Sequence, residues 1–334
     1  MYKFAIIGCG RIAPRHAEQI KKYGQLIAAC DIIKERADVF AEKYSAKAYY
    51  KIDELLAAEK DLDIVCVCTP NGYHAEHCIK SAQAGKHVLC EKPLCITSAA
   101  AWQMIETARL CRKNLFVVKS TRFNPSLQSL KKIIDEGTFG HLYSFQLNCF
   151  WNRPAQYYSD SWRGSLFPDG GTLYTQFSHY IDALIWLLGD VKNVTGYRKN
   201  LAHKGIIEFE DSGIAAIEMI NGMLGGLNWS VNTFQKNMEV SLTILAESGS
   251  IRIGGEYMNR IEYQCTNGPD IKSSSFPEQA NDYGFYKGSM SNHDKVYENL
   301  AKALKDENHP FVNAFDGLKT VELIEKIYNS VSLS

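Results

Sequence analysis

The chain of 334 residues lacks an excess of charge of either sign, because Lys+Arg and Asp+Glu both number 37. This balance argues against a general nucleic-acid binder, although neutrality is compatible with a local basic pocket for one phosphate. The chain also lacks an apolar run long enough to cross a bilayer, and it opens into the strand-like KFAIIG rather than a signal peptide. We therefore expect a soluble, cytoplasmic protein that binds neither nucleic acid nor membrane.

The ten cysteines lack the spacing of a metal or disulfide framework. There is no C-x-x-C, and no paired Cys/His cluster of the kind that zinc requires. Cys66 and Cys68 lie two residues apart in the apolar run LDIVCVC, which puts both on one face of a strand. We predict reduced cysteines that pack as small hydrophobic side chains, and no metal site.

The composition is that of an ordinary globular protein, with 46% hydrophobic and 22% charged residues. The length exceeds what one hydrophobic core usually supports, so two domains are expected. In the first 120 residues, amphipathic helical segments separate five continuous apolar runs: Phe4–Ile7, Leu26–Cys30, Leu62–Cys68, His87–Cys90 and Leu115–Val118. Continuous apolar strands are typical of a parallel sheet that is covered on both faces. We predict a doubly wound α/β Rossmann domain over residues 1–121.

From about Arg122 the runs alternate apolar and polar residues, as in HLYSFQLNCFW, IIEFE, IAAIEMI and MEVSLTIL. This pattern predicts an α+β domain over residues 122–334, built on an open, mostly antiparallel sheet. One helix, SHYIDALIWLLG, should end at Gly189, and helices within 292–334 should pack back toward the first domain. With few helices to cover these strands, we expect a homodimer or homotetramer formed through the open sheet.

The segment GCGRIA follows the first strand and opens the first helix. Gly8 permits a tight turn, Gly10 lets the backbone approach a pyrophosphate, and a small residue at Ala13 allows helix–strand packing. Asp31 ends the second strand, where it can accept hydrogen bonds from the adenosine ribose and repel a 2′-phosphate. We therefore predict NAD as cofactor, with NADP less favoured. The same turn contributes two further cofactor residues, Arg11 and Ile12.

Two more motifs, TPNGYH from Thr69 and CEKPL from Cys90, follow buried strands at the edge where this topology binds ligands. Lys92 comes directly after Glu91 and before Pro93. A lysine in such a loop is usually a surface residue. Beside a nicotinamide it could instead polarise or protonate a substrate oxygen, because burial and a neighbouring positive charge would lower its pKa.

The combination of GCGRIA, EKP and a downstream GG…H-x-x-D, followed by an open sheet, resembles the Gfo/Idh/MocA family of NAD(P)-dependent oxidoreductases. The resemblance covers essentially the whole chain. It implies that Lys92 and His179 flank C4 of the nicotinamide, and that Glu91 contacts the nicotinamide ribose. It also implies that the Lys92–Pro93 bond can be cis, and that the cofactor is lined by Thr69, Pro70, Asn71 and His74.

One position departs from the family pattern. Many members carry an Asp four residues before the histidine, whereas this chain has Thr175. The usual carboxylate that would tune Lys92 and His179 is therefore missing. Asp182, one turn after His179, is an alternative partner for the imidazole, although its spacing is poorly suited to that role. Without the resemblance, His179 is better explained as a buried histidine that packs under the sheet.

A narrower resemblance lies in the segment from Asn152 to Gly171, NRPAQYYSDSWRGSLFPDGG, and in RIAPRH. Both are similar to the WlbA/WbpB-type branch of the family, which oxidises C3 of UDP-N-acetylglucosaminuronic acid. Arg153 and Arg163 suit a diphosphate or a uronate carboxylate. We predict the substrate residues Arg153, Tyr157, Arg163 and Gln176. The alternative for this segment is a hydrated, Tyr/Trp-rich loop at a subunit interface.

The sequence thus predicts an NAD-dependent dehydrogenase that oxidises a sugar hydroxyl, C3 of a UDP-linked N-acetylated hexuronic acid, in surface polysaccharide biosynthesis. The first alternative is a free sugar, inositol or polyol dehydrogenase of the same family. A non-catalytic NAD-binding regulator is the second. It is less favoured, because regulators of this fold tend to lose the EKP lysine or the histidine, and both are present here.

Overall fold

The computed structural model describes residues 1–159, 162–268, 271, 280–282, 284, 286–290, 292–306 and 309–333. The chain forms two compact units. The first unit comprises Met1–Lys119 with His293–Val321, and the second comprises Ser120–Asn292 with Glu322–Ser334. The domain limits expected from the sequence, 1–121 and 122–334, stay a prediction.

The helices and strands alternate regularly at first and then give way to long strands. In chain order they are β1 (Tyr2–Ile7), α1 (Ala13–Tyr23), β2 (Gly24–Cys30), α2 (Lys34–Tyr44), β3 (Lys47–Tyr49), α3 (Ile52–Ala58), β4 (Ile64–Val67), α4 (His74–Gln83), β5 (His87–Cys90), α5 (Ser98–Leu110), β6 (Leu115–Val117), α6 (Pro125–Asp135), β7 (Leu142–Phe150), α7 (Ala155–Tyr158), α8 (Leu166–Asp169), α9 (Ser178–Leu188), β8 (Val191–Lys199), β9 (Ser212–Met219), β10 (Leu224–Ser230), β11 (Glu239–Ala246), β12 (Gly249–Gly254), β13 (Arg260–Thr266), β14 (Ala280–Asp282), β15 (Lys287–Met290), α10 (His293–Ala303), α11 (Ala314–Ser330) and β16 (Val331–Leu333).

The first unit is a parallel sheet of six strands in the order β3-β2-β1-β4-β5-β6. Every neighbouring pair is parallel. All four residues of β4 are buried, which is what a strand covered on both faces requires. The strand order reverses between β1 and β4, so ligands are expected at the carboxyl ends of these strands. This confirms the predicted Rossmann fold. The sequence missed β3, because three residues are too few to carry a periodic pattern.

The second unit is a mixed sheet of eight strands in the order β13-β12-β11-β7-β10-β9-β8-β16. Five neighbouring pairs are antiparallel, and β10–β7 and β16–β8 are parallel. Its strand register aligns one buried apolar row across five strands, namely Ala215, Leu227, Leu147, Leu242 and Ile253. The predicted open, mostly antiparallel sheet is confirmed. Helix α9 ends where expected, with Gly189 at φ 94°.

The opposite face of this sheet mixes polar and apolar side chains. Tyr197 and Ile214 face each other across β8 and β9, and both are exposed. Asn228 and Asn148 continue the same row on β10 and β7. The open face is therefore less apolar than the alternation suggested.

One predicted strand is absent. The run IIEFE lies in a loop, and its alternation has another cause. Ile207 and Phe209 pack against Tyr157 and Tyr158 in a small core beneath this loop. The carboxylate of Asp211 accepts hydrogen bonds from three consecutive loop amides, those of Leu201, Ala202 and His203. A loop that buries every second side chain shows the same alternation of apolar and polar residues as a strand.

All ten cysteines are free, and seven of them are buried, as predicted. Among the described residues, no helix is long and apolar enough to span a membrane.

Candidate active site

The glycine turn after β1 leaves room for an approaching ligand. Gly8 has φ 92°, and a Cβ atom there would lie 2.7 Å from the carbonyl carbon of Cys68, so only glycine fits. A Cβ at Gly10, by contrast, would meet no heavy atom within 4 Å. Ile12 precedes α1 without any side-chain cap. The amides of Ala13 and Arg15 donate to the carbonyls of Gly10 and Ile12, and Pro14 has no N–H, so the room for a phosphate lies at the glycine turn itself.

Asp31 is held beside this turn at the end of β2. Its Oδ2 accepts a hydrogen bond from the amide of Cys9 at 2.9 Å, and its Oδ1 accepts one from the amide of Ile33 at 2.9 Å. The carboxylate is only partly buried, and Arg11 of the glycine turn is exposed. The open turn and the fixed carboxylate fit a dinucleotide, which when bound supplies a hydride acceptor at nicotinamide C4.

Glu91, the first residue of the EKP motif, is buried and fully engaged with the protein. Its Oε1 accepts hydrogen bonds from Nε2 of His16 at 2.8 Å and from Nε2 of His293 at 3.2 Å. Its Oε2 accepts one from the amide of Lys92 at 3.1 Å. Burial alone would raise the pKa of Glu91, but the two imidazole hydrogen bonds hold it well below its usual range. Glu91 is therefore a fixed anion.

A chain of polar contacts fixes these two histidines. Nδ1 of His16 lies 2.9 Å from the hydroxyl of Tyr297, which lies 3.3 Å from Sγ of Cys66. Burial lowers the pKa of His16, so its ring is neutral. His16, Glu91 and His293 could offer three ligand atoms to a metal ion. Because both Nε2 atoms lie at hydrogen-bond distance from one Glu91 oxygen, we assign this cluster to hydrogen bonding.

The other predicted cofactor residues of this unit lie at the carboxyl ends of β4 and β5. Thr69 and Pro70 follow β4 and are partly buried, Asn71 begins a short 3₁₀ turn, and His74 begins α4. The Lys92–Pro93 bond is cis. The structure brings the two loops together, because His74 contacts carbonyl groups of both.

His179 is the second residue of α9 in the other unit, and its side chain is buried. Both carboxylate oxygens of Asp182 accept hydrogen bonds from Arg122, from Nε and from Nη2, at 2.7 Å each. The suggested use of Asp182 to orient His179 competes with this bidentate pair. Thr175 lies one turn before His179, in a π-helical turn over Leu173–Phe177.

A carboxylate that was not predicted from sequence lies next to Thr175. The hydroxyl of Thr175 donates to Oδ1 of Asp169, and the amide of Gly164 donates to Oδ2 at 2.9 Å. Burial raises the pKa of Asp169 to about 6, against the opposing effect of these hydrogen bonds. The sequence does show an acidic residue in the turn PDGG, shortly before the helix of His179. Its contact with Thr175, however, depends on the path of that turn.

Arg153 is buried at the centre of a polar and aromatic cluster. Its Nε donates to Oε1 of Gln176 at 2.6 Å, its Nη1 to Oδ1 of Asn237 at 3.2 Å and its Nη2 to the carbonyl of Lys287 at 3.3 Å. Gln176 in turn donates to the hydroxyl of Tyr157 at 2.9 Å. These contacts give Arg153 and Tyr157 the environment of a structural core. Their role as substrate contacts stays a prediction.

Arg163 differs from Arg153 because it is partly exposed. Its guanidinium carbon lies 4.8 Å from the ring centroids of Tyr157 and of Trp162. A guanidinium at this distance from two aromatic rings is held by cation–π attraction. Residues 160 and 161 of the predicted substrate segment lie outside the described residues.

Comparison with known proteins agrees with this geometry. Residues 2–118 match the oxidoreductase family with an NAD-binding Rossmann fold, and residues 127–252 match the GFO/IDH/MocA C-terminal domain. The D-glucoside 3-dehydrogenase of Escherichia coli K12 is 30% identical over 264 residues, which are 71% of each chain. The chain belongs to the Gfo/Idh/MocA oxidoreductase family.

Two solved structures of this family are similar over nearly the whole chain. The WlbA dehydrogenase of Chromobacterium violaceum, in complex with NADH and UDP-GlcNAcA, is 36% identical with a TM-score of 0.90, over 98% of this chain and 93% of that one. The WlbA dehydrogenase of Bordetella pertussis, with the same two ligands, is 33% identical with a TM-score of 0.88, over 98% and 96%.

Family membership confirms the predicted cofactor and class of enzyme. The first unit is an NAD-binding Rossmann fold, and the chain is an NAD-dependent sugar or polyol dehydrogenase of the Gfo/Idh/MocA family, acting on a CH–OH group.

Proposed function

We propose that this chain oxidises C3 of a UDP-linked N-acetylated hexuronic acid and passes the hydride to nicotinamide C4, in the synthesis of a surface polysaccharide sugar. The observation that carries this proposal is the similarity, over 98% of the chain, to two dehydrogenases whose structures hold NADH and UDP-GlcNAcA. The open glycine turn at Gly10 and the fixed carboxylate of Asp31 support the cofactor half of the reaction.

Lys92 and His179 are the proposed catalytic residues. One of them accepts the proton of the C3 hydroxyl as the C3–H bond breaks and the hydride leaves. The other donates a hydrogen bond to the oxygen, which becomes the carbonyl of the product. A positioned acid or base of this kind typically contributes about 10²–10⁴-fold in rate.

In this proposal, Asp169 takes the role of the carboxylate that many family members carry at the position of Thr175. Its hydrogen bond to Thr175 ties it to the π-helical turn that precedes the helix of His179. Both of its oxygens accept hydrogen bonds, which suits the anion, and its pKa of about 6 means that it titrates close to neutral pH. An anion at this point would stabilise a proton held by His179.

Arg163 is the proposed anion contact for the diphosphate or the uronate carboxylate. Its partial exposure and its position beside the rings of Tyr157 and Trp162 support this role. Arg153, Gln176 and Tyr157 would then form the base on which the Arg163 loop rests.

Purified enzyme should be incubated with NAD and, separately, UDP-GlcNAcA, UDP-N-acetylglucosamine, D-glucosides and myo-inositol. The proposal predicts growth of the reduced-nicotinamide absorbance with UDP-GlcNAcA at the highest kcat/KM of the panel. Turnover of free sugars alone would contradict it.

A free glucoside, inositol or polyol dehydrogenase is the second candidate. It is supported by the D-glucoside 3-dehydrogenase, which is 30% identical to this chain. The two candidates differ at Arg163, since only a substrate with a phosphate or carboxylate needs its charge. Arg163→Ala should therefore lower the turnover of anionic substrates and leave that of neutral substrates unchanged.

We further propose that the enzyme is a cytoplasmic homodimer or homotetramer assembled through the open face of the sheet. Ten free cysteines suit a reducing compartment, and exposed Tyr197 and Ile214 suit burial in a subunit contact. Light scattering of the eluted protein should give a multiple of the 37.6 kDa chain mass. A monomer would contradict this assembly.

A further inference from the structure

His74 connects two loops of the Rossmann unit through both nitrogens of its ring. Nδ1 lies 2.7 Å from the carbonyl oxygen of Pro93, and Nε2 lies 2.7 Å from the carbonyl oxygen of Thr69. The first loop follows β5 and carries Lys92, and the second follows β4. The side chain of His74 is 1% exposed, so these contacts are made away from bulk water.

The two contacts determine the protonation state of the ring. A carbonyl oxygen can only accept a hydrogen bond, so each nitrogen of His74 must carry a proton. A neutral imidazole has one N–H, and it would set a nitrogen lone pair against a carbonyl lone pair at 2.7 Å. Only the imidazolium satisfies both contacts, and the short distances are typical of charge-assisted hydrogen bonds.

The surroundings of His74 permit this charge. Burial lowers the pKa of the ring, but the neighbouring Cys90 and the two carbonyl hydrogen bonds outweigh it and raise the pKa to about 9. Cys90 on β5 and His77 on α4 are titratable neighbours of His74. Burial together with the charge of His74 lowers the pKa of His77 to about 4. His77 is therefore neutral around pH 7, so it does not oppose the charge on His74.

We propose that His74 is a positioning residue that remains an imidazolium at neutral pH and holds the Thr69 and Pro93 loops at a fixed separation. The charge state follows from geometry alone, whereas its use in catalysis rests on the proposed role of Lys92. Loss of either N–H leaves a buried carbonyl without its donor and lets the Lys92 loop move relative to the loop after β4. Displacement of a catalytic group by about 1 Å can cost about 100-fold in rate.

The first test measures the charge directly and needs no turnover. The full-length chain, labelled with ¹⁵N-histidine, is titrated from neutral pH through pH 9, and the His74 signals are assigned by their loss in His74→Gln. We expect both ring nitrogens to carry protons at neutral pH and to lose this state near pH 9. A pyridine-type nitrogen on His74 at neutral pH would overturn the proposal, whatever the substrate of the enzyme.

The second test separates positioning from general stability. His74→Gln should lower kcat by about 10–100-fold with a smaller change in KM, and His74→Lys, which restores a buried cation with several donors, should recover part of that loss. The matched control is His77→Gln on the same helix. His77 contacts one of the two loops, through the hydroxyl of Thr69 at 2.9 Å, and does not connect them.

The control variant should lose less than about threefold in kcat, as expected for a single uncharged contact. Equal losses in His74→Gln and His77→Gln, at equal thermal stability, would remove the positioning role. NADH affinity, measured on every variant, shows whether the cofactor unit is folded and is independent of the sugar that the enzyme uses.

Discussion

Two buried ionisable groups in each unit differ in what determines their pKa. In the Rossmann unit, two imidazoles hold the pKa of Glu91 below its usual range, and Cys90 together with two carbonyls raises that of His74. In the sheet unit, burial raises the pKa of Asp169 to about 6 and that of Glu210 to about 7. For Glu91 and His74 these contacts outweigh burial, whereas for Asp169 and Glu210 burial outweighs the hydrogen bonds. Glu91 and His74 therefore stay charged at neutral pH, whereas Asp169 and Glu210 titrate close to neutral pH.

The largest expected effect comes from the lysine at the carboxyl end of β5. Lys92→Met should lower turnover by about 10²–10⁴-fold and leave NADH binding largely intact, because the fixed charges of Glu91 and His74 remain. Steady-state kinetics and NADH titration measure both quantities.

The matched control lies at the other end of the same strand. Lys86 is buried before β5, and its Nζ donates to the carbonyls of Lys60 and Leu62 at 2.7 and 2.9 Å. Lys86→Met should cost about 1–3 kcal/mol of stability with little loss of turnover. Equal turnover in the two variants would exclude Lys92 from the mechanism.

A smaller effect is expected from the two arginines of the sheet unit. Arg163→Ala should raise KM for a UDP-sugar by about 10–100-fold, since hydrogen bonds to charged groups are worth about 1.5–3 kcal/mol. Arg153→Ala should instead lower the unfolding free energy by about 2–5 kcal/mol, because it leaves a cavity and unpaired acceptors. Michaelis kinetics and urea unfolding distinguish the two. If Arg153→Ala raises KM strongly without loss of stability, Arg153 is a substrate contact and not a structural residue.

The local features of the candidate site could be predicted from sequence, but its tertiary contacts could not. The glycine turn, Asp31 and Lys92 are local features, since each follows directly from a strand end and a short motif. The contact between Glu91 and His293 joins residues that are 202 positions apart. The hydrogen bond between Thr175 and Asp169 depends on how the turn at Gly170 and Gly171 folds back. Contacts of this kind are set by tertiary packing, which a periodic pattern does not encode.

The smallest expected effect is on stability as a function of pH. Asp169 and Glu210 have raised pKa values in the folded state, so their protonated forms favour folding. Their contribution is complete below about pH 4 and is lost as pH rises through about 6 and 7. Asp169→Asn and Glu210→Gln should each therefore gain about 1–2 kcal/mol over the parent between pH 4 and 7. Urea unfolding at several pH values measures this gain, and a constant difference across the range would contradict the raised pKa values.

The pH profile of kcat/KM for the parent and the two carboxyl variants tests the difference between the units most directly. We predict that activity of the parent rises with pH through about 6, as Asp169 ionises. In Asp169→Asn this rise should be absent, and kcat/KM should stay at a lower, constant value. In Glu210→Gln the rise should remain, because the Glu210 carboxyl bonds to Tyr328 and Trp229. An unchanged rise in Asp169→Asn would show that the titrating carboxyl of the sheet unit takes no part in the reaction.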